Sequence, residues 1–255
     1  MIKLKTKSEI EKLRIGGKKL AEIIDATAKQ VKPGVFANEL NDFAHQMMLK
    51  MGVKSSFLNY RPSGARTPFP ASICVSINDE IVHGIPEKTK QIKSGDVVKI
   101  DGGIISDGLF TDHAITVAVG EVSKDINELI NRTKEALNAG IKKCVIGNYI
   151  SDIGLAIEKV AKKSNLTVVN DLTGHGVGYA VHEDPFVPNC GGFGKREILE
   201  NGLVIAIEPM FTLGRPEIIV ARDGHTYKTK DGSIATQFEH TVAITEKGPI
   251  ILTKK

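Results

Sequence analysis

Two aspartates in neighbouring apolar segments are the residues whose types and spacing most clearly suggest chemistry. Asp101 and Asp112 flank an Asp107-Gly108 pair, which is typical of a two-residue β-hairpin turn. With that turn, Asp112 lies opposite Gly103, and both aspartates project from one face of the sheet. Their backbones would be about 7–8 Å apart, so the carboxylates either share a proton or bind cations. Aspartate is depleted in strands, which makes ordinary exposed positions the weaker alternative.

Two glutamates lie in apolar segments that are typical of buried strands. Glu208 is near the end of the segment Gly202–Met210, and Glu239 is in the middle of Ala235–Ile244. A glutamate inside an apolar strand costs several kcal/mol unless it is paired or ligated. We therefore predict that both carboxylates face one site together with the two aspartates.

Three histidines are candidates for ligation or proton transfer. His175 lies between two glycines, which let the backbone approach closely and leave the imidazole uncrowded. His182 follows in the same glycine-rich segment. His83 precedes a Gly-Ile-Pro turn, where a solvated loop histidine is an equally good interpretation. His113 and His240 directly follow two acidic candidates, so on strands they point to the other face as structural or supporting groups.

Together these residues have the composition of a two-metal hydrolytic centre. Four carboxylates carry about four negative charges, which two divalent cations would balance. Oxygen-rich sites with one imidazole suit pairs of Mn, Fe, Co or Zn better than a structural zinc, which prefers thiolates. Such a centre activates a water and polarises a carbonyl, so the predicted chemistry is hydrolysis. His83 and His182 would supply proton transfers and contacts to the oxyanion.

Four amphipathic segments are predicted to be the helices that support these strands. The segment Thr6-Lys7-Ser8-Glu9 has capping-box spacing and opens a helix that ends at Lys32-Pro33-Gly34. A second helix runs from about Ala37 to Met51. Beyond the hairpin, Asp125–Ile146 and Ser151–Ser164 follow, and the first residue of the last segment is the predicted N-cap.

An internal repeat indicates two similar halves. The segment Gly34–Leu40 matches Gly147–Ile153 in residue type. The helices that follow reach Gly52 and Asn165 after the same number of residues. Glycine and asparagine most readily adopt the left-handed conformation that ends a helix, so we predict the same helix pair in each half.

Length and composition indicate a globular protein with one large domain or two intimate ones. We predict a single catalytic domain, residues 1–255. The predicted class is α+β, with halves of about 1–120 and 121–255 whose sheets meet around the shared site. The net charge of +4 comes from scattered lysines. It does not call for a specific nucleic-acid partner, although it permits a weak encounter with an RNA-rich one.

The sequence lacks the marks of membrane insertion and of disulfide stabilisation. It has no run of about 18 apolar residues and no signal-peptide pattern, so we expect a cytoplasmic protein without a membrane partner. Cys74, Cys144 and Cys190 are far apart and lack CxxC spacing. This spacing argues against a disulfide framework and against a thiolate zinc site, so the three are predicted to be free thiols.

Five motifs in order along the chain resemble those of type I methionine aminopeptidases. They are Ser76–Pro86, the aspartates at 101 and 112, Gly174–Gly178 with His182, Ile207–Met210 and Gln237–Thr241. The resemblance covers nearly the whole chain, and the five motifs together are very specific. It implies the pita-bread fold, in which two pseudo-symmetric helix-helix-strand halves surround a central antiparallel sheet that holds a dinuclear metal site.

The resemblance also implies roles for the candidate residues. Two divalent metal ions, Co, Mn, Fe or Zn, would be bound by Asp101, Asp112, His175, Glu208 and Glu239. Asp112 and Glu239 would bridge the two metals, and Glu208 would also assist the nucleophilic water as base. His182 would steady the carbonyl oxygen, and His83 would contact the scissile amide.

The implied reaction is removal of the initiator methionine from nascent polypeptides when the next residue is small. A free α-amine can ligate a metal and so measure off one residue, while an apolar pocket accepts the unbranched thioether. The partners would be nascent N-termini, with weak ribosome association at most, and the enzyme would be a monomer.

Three departures from the family pattern concern the methionine pocket. The loop around Pro62 to Thr67 is expanded, Arg61 replaces a loop histidine, and His225 occupies a position often filled by tryptophan. Three residues can still be matched to the pocket: Tyr60, Phe69 and Cys74. The departures affect the shape of the pocket, whereas the predicted metal centre is complete.

Two alternatives remain open at the level of sequence. A proline-directed aminopeptidase or dipeptidase of the same fold would use the same five ligands, although such enzymes usually carry an additional N-terminal domain. The form His83-Gly84-Ile85-Pro86 favours methionine. A non-catalytic relative that acts on ribosomes would keep the fold without the chemistry, and the complete set of ligand types argues against it.

Overall fold

The computed structural model of the chain describes residues 2–61, 66–192 and 197–255. The helices in these ranges are α1 (Lys7–Ala28), α2 (Ala37–Lys50), α3 (Lys124–Ile141) and α4 (Ile150–Lys163). The strands are β1 (Lys54–Ser55), β2 (Cys74–Ile77), β3 (Glu80–Val82), β4 (Val97–Ser106), β5 (Leu109–Ala118), β6 (Thr167–Val168), β7 (Gly174–Gly176), β8 (Glu183–Val187), β9 (Val204–Ile207), β10 (Met210–Thr212), β11 (Ile218–Val220), β12 (Tyr227–Thr229), β13 (Ala235–Gln237), β14 (Glu239–Thr245) and β15 (Gly248–Ile251). Across the described ranges, every helix is too short or too polar to cross a membrane.

A nine-stranded antiparallel sheet forms the centre of the fold. Its order is β1-β4-β5-β14-β9-β7-β8, with β2 also paired to β4 and β15 to β14. Two three-stranded sheets, β13-β10-β6 and β11-β12-β3, complete the strand arrangement. The prediction of an α+β fold with a central antiparallel sheet is confirmed.

The β4–β5 hairpin has the predicted register. Asp107 and Gly108 both have positive φ, 51° and 77°, as a type I′ turn requires. Asp112 pairs with Gly103, so strand alternation places Asp101 and Asp112 on the same face. The turn chemistry thus fixes which face of the sheet is acidic.

The two helix pairs are built alike. α2 and α4 each have 14 residues. The Phe36 N–H donates to the Glu39 carboxylate at 2.7 Å at the start of α2, and the Tyr149 N–H donates to Asp152 at 2.8 Å at the start of α4. In each half, an acidic residue in the first turn therefore holds the chain that enters the second helix.

The helix ends agree with the sequence only in part. Gly52 and Asn165 take the expected left-handed conformation, with φ of 66° and 53°. The prediction of Ser151 as N-cap is wrong, because Ser151 lies inside α4, whose N-cap is Tyr149. α1 and α3 end at Ala28 and Ile141, earlier than predicted, because the link to the next helix begins before the apolar periodicity stops.

Each helix pair packs on its own hydrophobic core. The first core includes Leu20, Ile24, Leu40, Met48 and Ile100. The second core includes Leu137, Ile153, Ile157, Ile205, Ile207 and Val242. Each fully buried side chain of this kind contributes about 1.5–3 kcal/mol. β4 is thus anchored in one core and β9 and β14 in the other, so both cores position the strands that carry acidic residues.

The last predicted strand is interrupted. Ala235–Gln237 pairs as β13 in a three-stranded sheet, whereas Glu239–Thr245 joins the central sheet as β14. Glu239 therefore opens a strand and does not lie in the middle of one as predicted. The cause is that the chain changes sheets at Phe238.

Candidate metal centre

One cavity is lined by all the residues that the sequence assigned to metal and substrate. They are Tyr60, Phe69, Cys74, His83, Asp101, Asp112, His175, His182, Glu208 and Glu239. Phe57, Val181 and His225 also line it. The groups come from both halves of the chain, so the cavity is assembled by the strand order and not by proximity in sequence.

The acidic residues reach the cavity from neighbouring strands. Asp101 and Asp112 project from β4 and β5, and Glu239 comes from β14, where it pairs opposite Ala114 of β5. One ligand atom each from Asp112, His175 and Glu239 lies within 4.8 Å of the others. The Nε2 atom of His175 is 3.6 Å from a carboxylate oxygen of Glu208, the residue that follows β9. A cation could therefore be held by groups from several strands at once.

The electrostatics of the cluster fit bound cations. Burial, followed by the charges of the neighbouring carboxylates, raises the pKa values of Asp101, Glu208 and Glu239 well above their ordinary range. Burial also raises the pKa of Asp112 to about 7. The Oδ1 atom of Asp101 is buried and has no hydrogen-bond partner in the described part of the chain. Cations would satisfy this oxygen and relieve the repulsion between the carboxylates.

His175 is held in the form that ligates a metal. Its Nδ1–H donates to its neighbour's carbonyl, that of Gly176, at 2.9 Å, which leaves the lone pair of Nε2 free to face the carboxylates. Burial lowers the pKa of His175 to about 3, so the ring is neutral near pH 7. A hydrogen bond from the other ring nitrogen to a carbonyl is the usual way to orient a ligand histidine.

The glycines beside His175 allow the close backbone approach that the sequence suggested. A Cβ atom at Gly174 would lie 2.3 Å from the Ala206 carbonyl oxygen, and one at Gly176 would lie 2.2 Å from the Asp184 carbonyl oxygen. Both neighbours are backbone atoms, so a side chain at either glycine would displace the strand that carries the histidine.

Gly176→Ala is therefore expected to lower the affinity for Mn²⁺ at least about tenfold and the free energy of unfolding by about 1–3 kcal/mol. Calorimetric titration and thermal unfolding measure the two effects. Gly248→Ala is the matched control, because a Cβ atom there meets no atom within 4 Å and strains only the backbone. Equal metal affinity in both variants would show that the strand tolerates the shift.

His83 and His182 face the cluster from loops. The His182 ring is 4.5 Å from that of His175 and perpendicular to it, and its Nδ1 lies 3.0 Å from the hydroxyl of Tyr60. His83 has a left-handed backbone, with φ of 57°, and its ring packs edge-on against Tyr227. Burial lowers the pKa of both histidines, that of His83 to about 4, so both are neutral at pH 7. His83 lines the cavity, which disfavours the alternative of a solvated loop histidine.

The apolar side of the cavity is built around Phe69. Its ring packs edge-on against Phe57 at 6.4 Å and His225 at 5.6 Å. The Phe69 N–H donates to the Tyr60 carbonyl at 2.8 Å, which closes the neck of the expanded loop. Of that loop, Pro62 to Thr67 in the sequence analysis, residues 62–65 lie outside the described residues. The neck keeps both aromatic residues at the cavity despite the expansion.

His225 joins the pocket to the expanded loop. Its Nε2 lies 3.0 Å from the Thr67 hydroxyl, and its backbone N–H donates to Asp223 at 2.8 Å. The cavity thus has an imidazole where the family resemblance suggested tryptophan. Cys74 contributes a buried thiol on another side, and all three cysteines are free, as predicted.

Sequence reasoning missed the groups that orient Glu208. The Gln237 side chain donates to a carboxylate oxygen of Glu208 at 3.1 Å, and Asn189 donates to its carbonyl at 3.0 Å. Gln237 lies two positions before Glu239, so the alternation of a strand could have placed it on the same face. Asn189 gives no comparable signal.

A buried ion pair supports the loop of His182. The Lys5 ammonium lies 2.6 Å from Glu183, and the other carboxylate oxygen of Glu183 accepts the N–H groups of Tyr179 and Ala180. Lys5 thus joins the N-terminal segment to the loop before β8. The partners are 178 positions apart, and no sequence pattern links them.

The opposite face of the sheet carries the two other strand histidines. His113 and His240 pair across β5 and β14, and their rings stack at 4.7 Å. The Nδ1–H of His113 donates to the Glu239 carbonyl, and the Nδ1 of His240 lies 2.9 Å from the Thr253 hydroxyl. They support the acidic strand from behind, as strand alternation predicted.

The chain is similar to known proteins over nearly its whole length. The model of metallopeptidase family M24 matches residues 11–246. A methionine aminopeptidase of Aquifex aeolicus is 48% identical over 255 residues, which covers 99% of each chain. A crystal structure of methionine aminopeptidase from Thermotoga maritima has a TM-score of 0.94 at 39% identity and covers 100% of both chains.

More distant structures share the architecture. An Xaa-Pro dipeptidase from Bacillus anthracis has a TM-score of 0.77 at 23% identity, covering 99% of this chain and 62% of that one. Likeness at this identity concerns the fold, and the chemistry must be argued from the site.

Proposed function

The chain belongs to metallopeptidase family M24 and has its pita-bread fold, and we propose that it removes the initiator methionine from nascent polypeptides. The observation that carries the proposal is one cavity in which a buried carboxylate and histidine cluster adjoins an apolar pocket. The first part supplies the means of hydrolysis, and the second supplies the means of recognising a methionine side chain.

The cluster would hold two divalent metal ions, Co, Mn, Fe or Zn. The residues that would hold them are Asp101, Asp112, His175, Glu208 and Glu239. The four carboxylates balance the charge of two such ions, and the single imidazole suits these metals. When bound, the metals supply an activated water and Lewis acidity toward the carbonyl.

The remaining steps belong to the chain's own residues. Glu208 would act as base, and the hydrogen bond from Gln237 holds its carboxylate in place. Because His182 and His83 are neutral, each can donate an N–H without adding charge to the free site: His182 to the carbonyl oxygen and His83 to the scissile amide. These are the roles that the resemblance assigns to the three residues.

Recognition of methionine would rest on the apolar wall. Phe57, Phe69, Val181 and Cys74 form a buried cluster that lines the cavity. An unbranched thioether fits such a surface and makes favourable contacts with aromatic rings. Tyr60 lies at the edge of this cluster, within hydrogen-bond distance of His182, so the pocket and the catalytic groups are joined.

The proposed reaction would take place in the cytoplasm and would need only one copy of the chain. Nascent N-termini arise in the cytoplasm, which is where we place the protein. All cavity groups come from one chain, so a monomer suffices. We propose no specific nucleic-acid or membrane partner; any ribosome association would be weak, because the net charge is only +4.

The test is release of free methionine from Met-Ala-Ser by metal-stripped protein after addition of Co, Mn, Fe or Zn. We expect release only with metal, and none from Met-Trp-Ser, whose second residue is large. An Ala-Pro substrate tests the proline-directed alternative. Faster cleavage of Ala-Pro would favour that alternative, and no release with any metal by folded protein would favour a non-catalytic relative.

A further inference from the structure

Lys99 is a buried charged residue that the proposed reaction does not use. It lies in the middle of β4, with 0% of its surface exposed, and it is not among the residues that line the cavity. A lysine is almost never fully buried unless its charge is compensated. The groups around its amine must therefore compensate the buried charge.

The amine of Lys99 is surrounded by backbone carbonyls. Its Nζ lies 2.8 Å from the Asn78 oxygen, 3.1 Å from that of Ala235 and 3.5 Å from that of Val97. An ammonium has three donors and no acceptor, so three carbonyls match it. Burial lowers the pKa of Lys99 to about 7, while the charge of Glu80 opposes the shift, and the three acceptors also favour the ammonium.

The three carbonyls belong to segments that lead to the candidate metal centre. Asn78 has a left-handed backbone in the turn before β3, which leads to His83. Val97 begins β4, which carries Asp101 two residues beyond the lysine. The third carbonyl belongs to Ala235, which begins β13. This strand leads into β14 and Glu239. The amine thus ties together three segments from both halves of the chain.

We propose that the Lys99 ammonium is a built-in monovalent cation that positions these segments, and that the same carbonyls would bind K⁺ or ammonium without it. Carbonyl oxygens can replace the hydration shell of K⁺, and they hydrogen-bond equally well to an ammonium ion. Lys99 is a positioning residue in this proposal, because it touches neither substrate nor metal. Its effect on activity rests on the proposed function, but its effects on metal affinity and stability do not.

The experiment compares Lys99→Ala with Lys99→Met in choline, ammonium and potassium chloride at equal ionic strength. The quantities measured are Mn²⁺ affinity, thermal unfolding, and kcat and KM for Met-Ala-Ser. In choline, both variants are expected to lose Mn²⁺ affinity by about 10- to 100-fold, as when a group that orients metal ligands is removed. Ammonium or K⁺ should restore the Mn²⁺ affinity of Lys99→Ala, which has space for a cation. Neither cation should restore that of Lys99→Met, whose side chain fills the space.

Lys19→Ala is the matched control, because the Lys19 amine donates to one backbone carbonyl, that of Met51, at 3.2 Å, and does not line the cavity. It should show no cation effect, and the wild type should behave alike in all three salts. A wild type that requires K⁺ would overturn the proposal. A Lys99→Met variant with full Mn²⁺ affinity would also overturn it. The same holds for a Lys99→Ala variant whose stability and Mn²⁺ affinity do not change with any of the cations. If methionine release fails throughout while cations restore Mn²⁺ affinity and stability, the proposed function is wrong and the role of Lys99 stands.

Discussion

Asp112→Asn is expected to lower methionine release by about 10²- to 10³-fold or more, the loss that follows removal of one charge-stabilising group from a catalytic site. One oxygen of Asp112 lies within 4.8 Å of ligand atoms from His175 and Glu239, so its charge serves the centre of the cluster. Asparagine keeps the shape and one oxygen but removes the charge. kcat/KM for Met-Ala-Ser with saturating Mn²⁺, together with Mn²⁺ affinity, measures the effect.

The same substitution should stabilise the metal-free protein. Burial raises the pKa of Asp112 to about 7, which means that the folded state resists its charge. Removal of that charge is expected to raise the melting temperature in EDTA while it removes activity. A variant that loses activity through misfolding would show the opposite change in melting temperature.

Asp107→Asn is the matched control for this substitution. Asp107 is exposed in the turn of the same hairpin, and asparagine tolerates its left-handed φ of 51°. Activity and metal affinity should therefore stay at the level of the unaltered protein. If Asp112→Asn retained full activity, the acidic cluster would not be the catalytic centre.

The acidic face of the hairpin could be predicted because its cause is local. The Asp107-Gly108 pair selects a turn type, the turn type fixes the register, and the register places Asp112 opposite Gly103. The repeat could be predicted for the same reason. In both α2 and α4, an acidic residue in the first turn accepts the N–H of the residue before the helix. Such features depend on residues within about one turn or hairpin, and the sequence contains them in full.

Other features depend on partners that are distant in sequence. The break at Phe238 exists because β13 and β14 pair in different sheets, and the apolar run itself carries no sign of it. Lys5 pairs with Glu183 only because the N-terminal segment passes the loop of His182. Lys99 shares its strand face with Asp101, but no residue near it in sequence predicts the carbonyls of Asn78 and Ala235 that surround its amine. Tertiary contacts of this kind override local pattern, and one sequence does not encode them locally.

The stability gained from metal is expected to grow as the pH increases from 6.5 to 8. In the metal-free protein the raised pKa values of the cluster mean that the folded state holds protons that the unfolded state has lost. The folded state then binds more protons, so its stability falls as the pH rises through the raised pKa values. Metals bind the ionised carboxylates, so the loaded protein avoids this loss. Each proton that the metals displace adds about 1.4 kcal/mol per pH unit to the difference in stability between the loaded and the metal-free protein. This corresponds to roughly 3–6 °C in melting temperature.

The chosen pH window separates the carboxylates from the buried histidines. Burial lowers the pKa of His175 to about 3 and that of His113 to about 4, so their contribution to stability is lost only as the pH falls below their ordinary value of 6.5. Asp112→Asn should reduce the slope of this difference because one titrating carboxyl group is gone. If the difference in melting temperature between the loaded and the metal-free protein stayed constant from pH 6.5 to 8, the carboxylates would already be ionised without metal. Another positive charge would then have to balance the cluster.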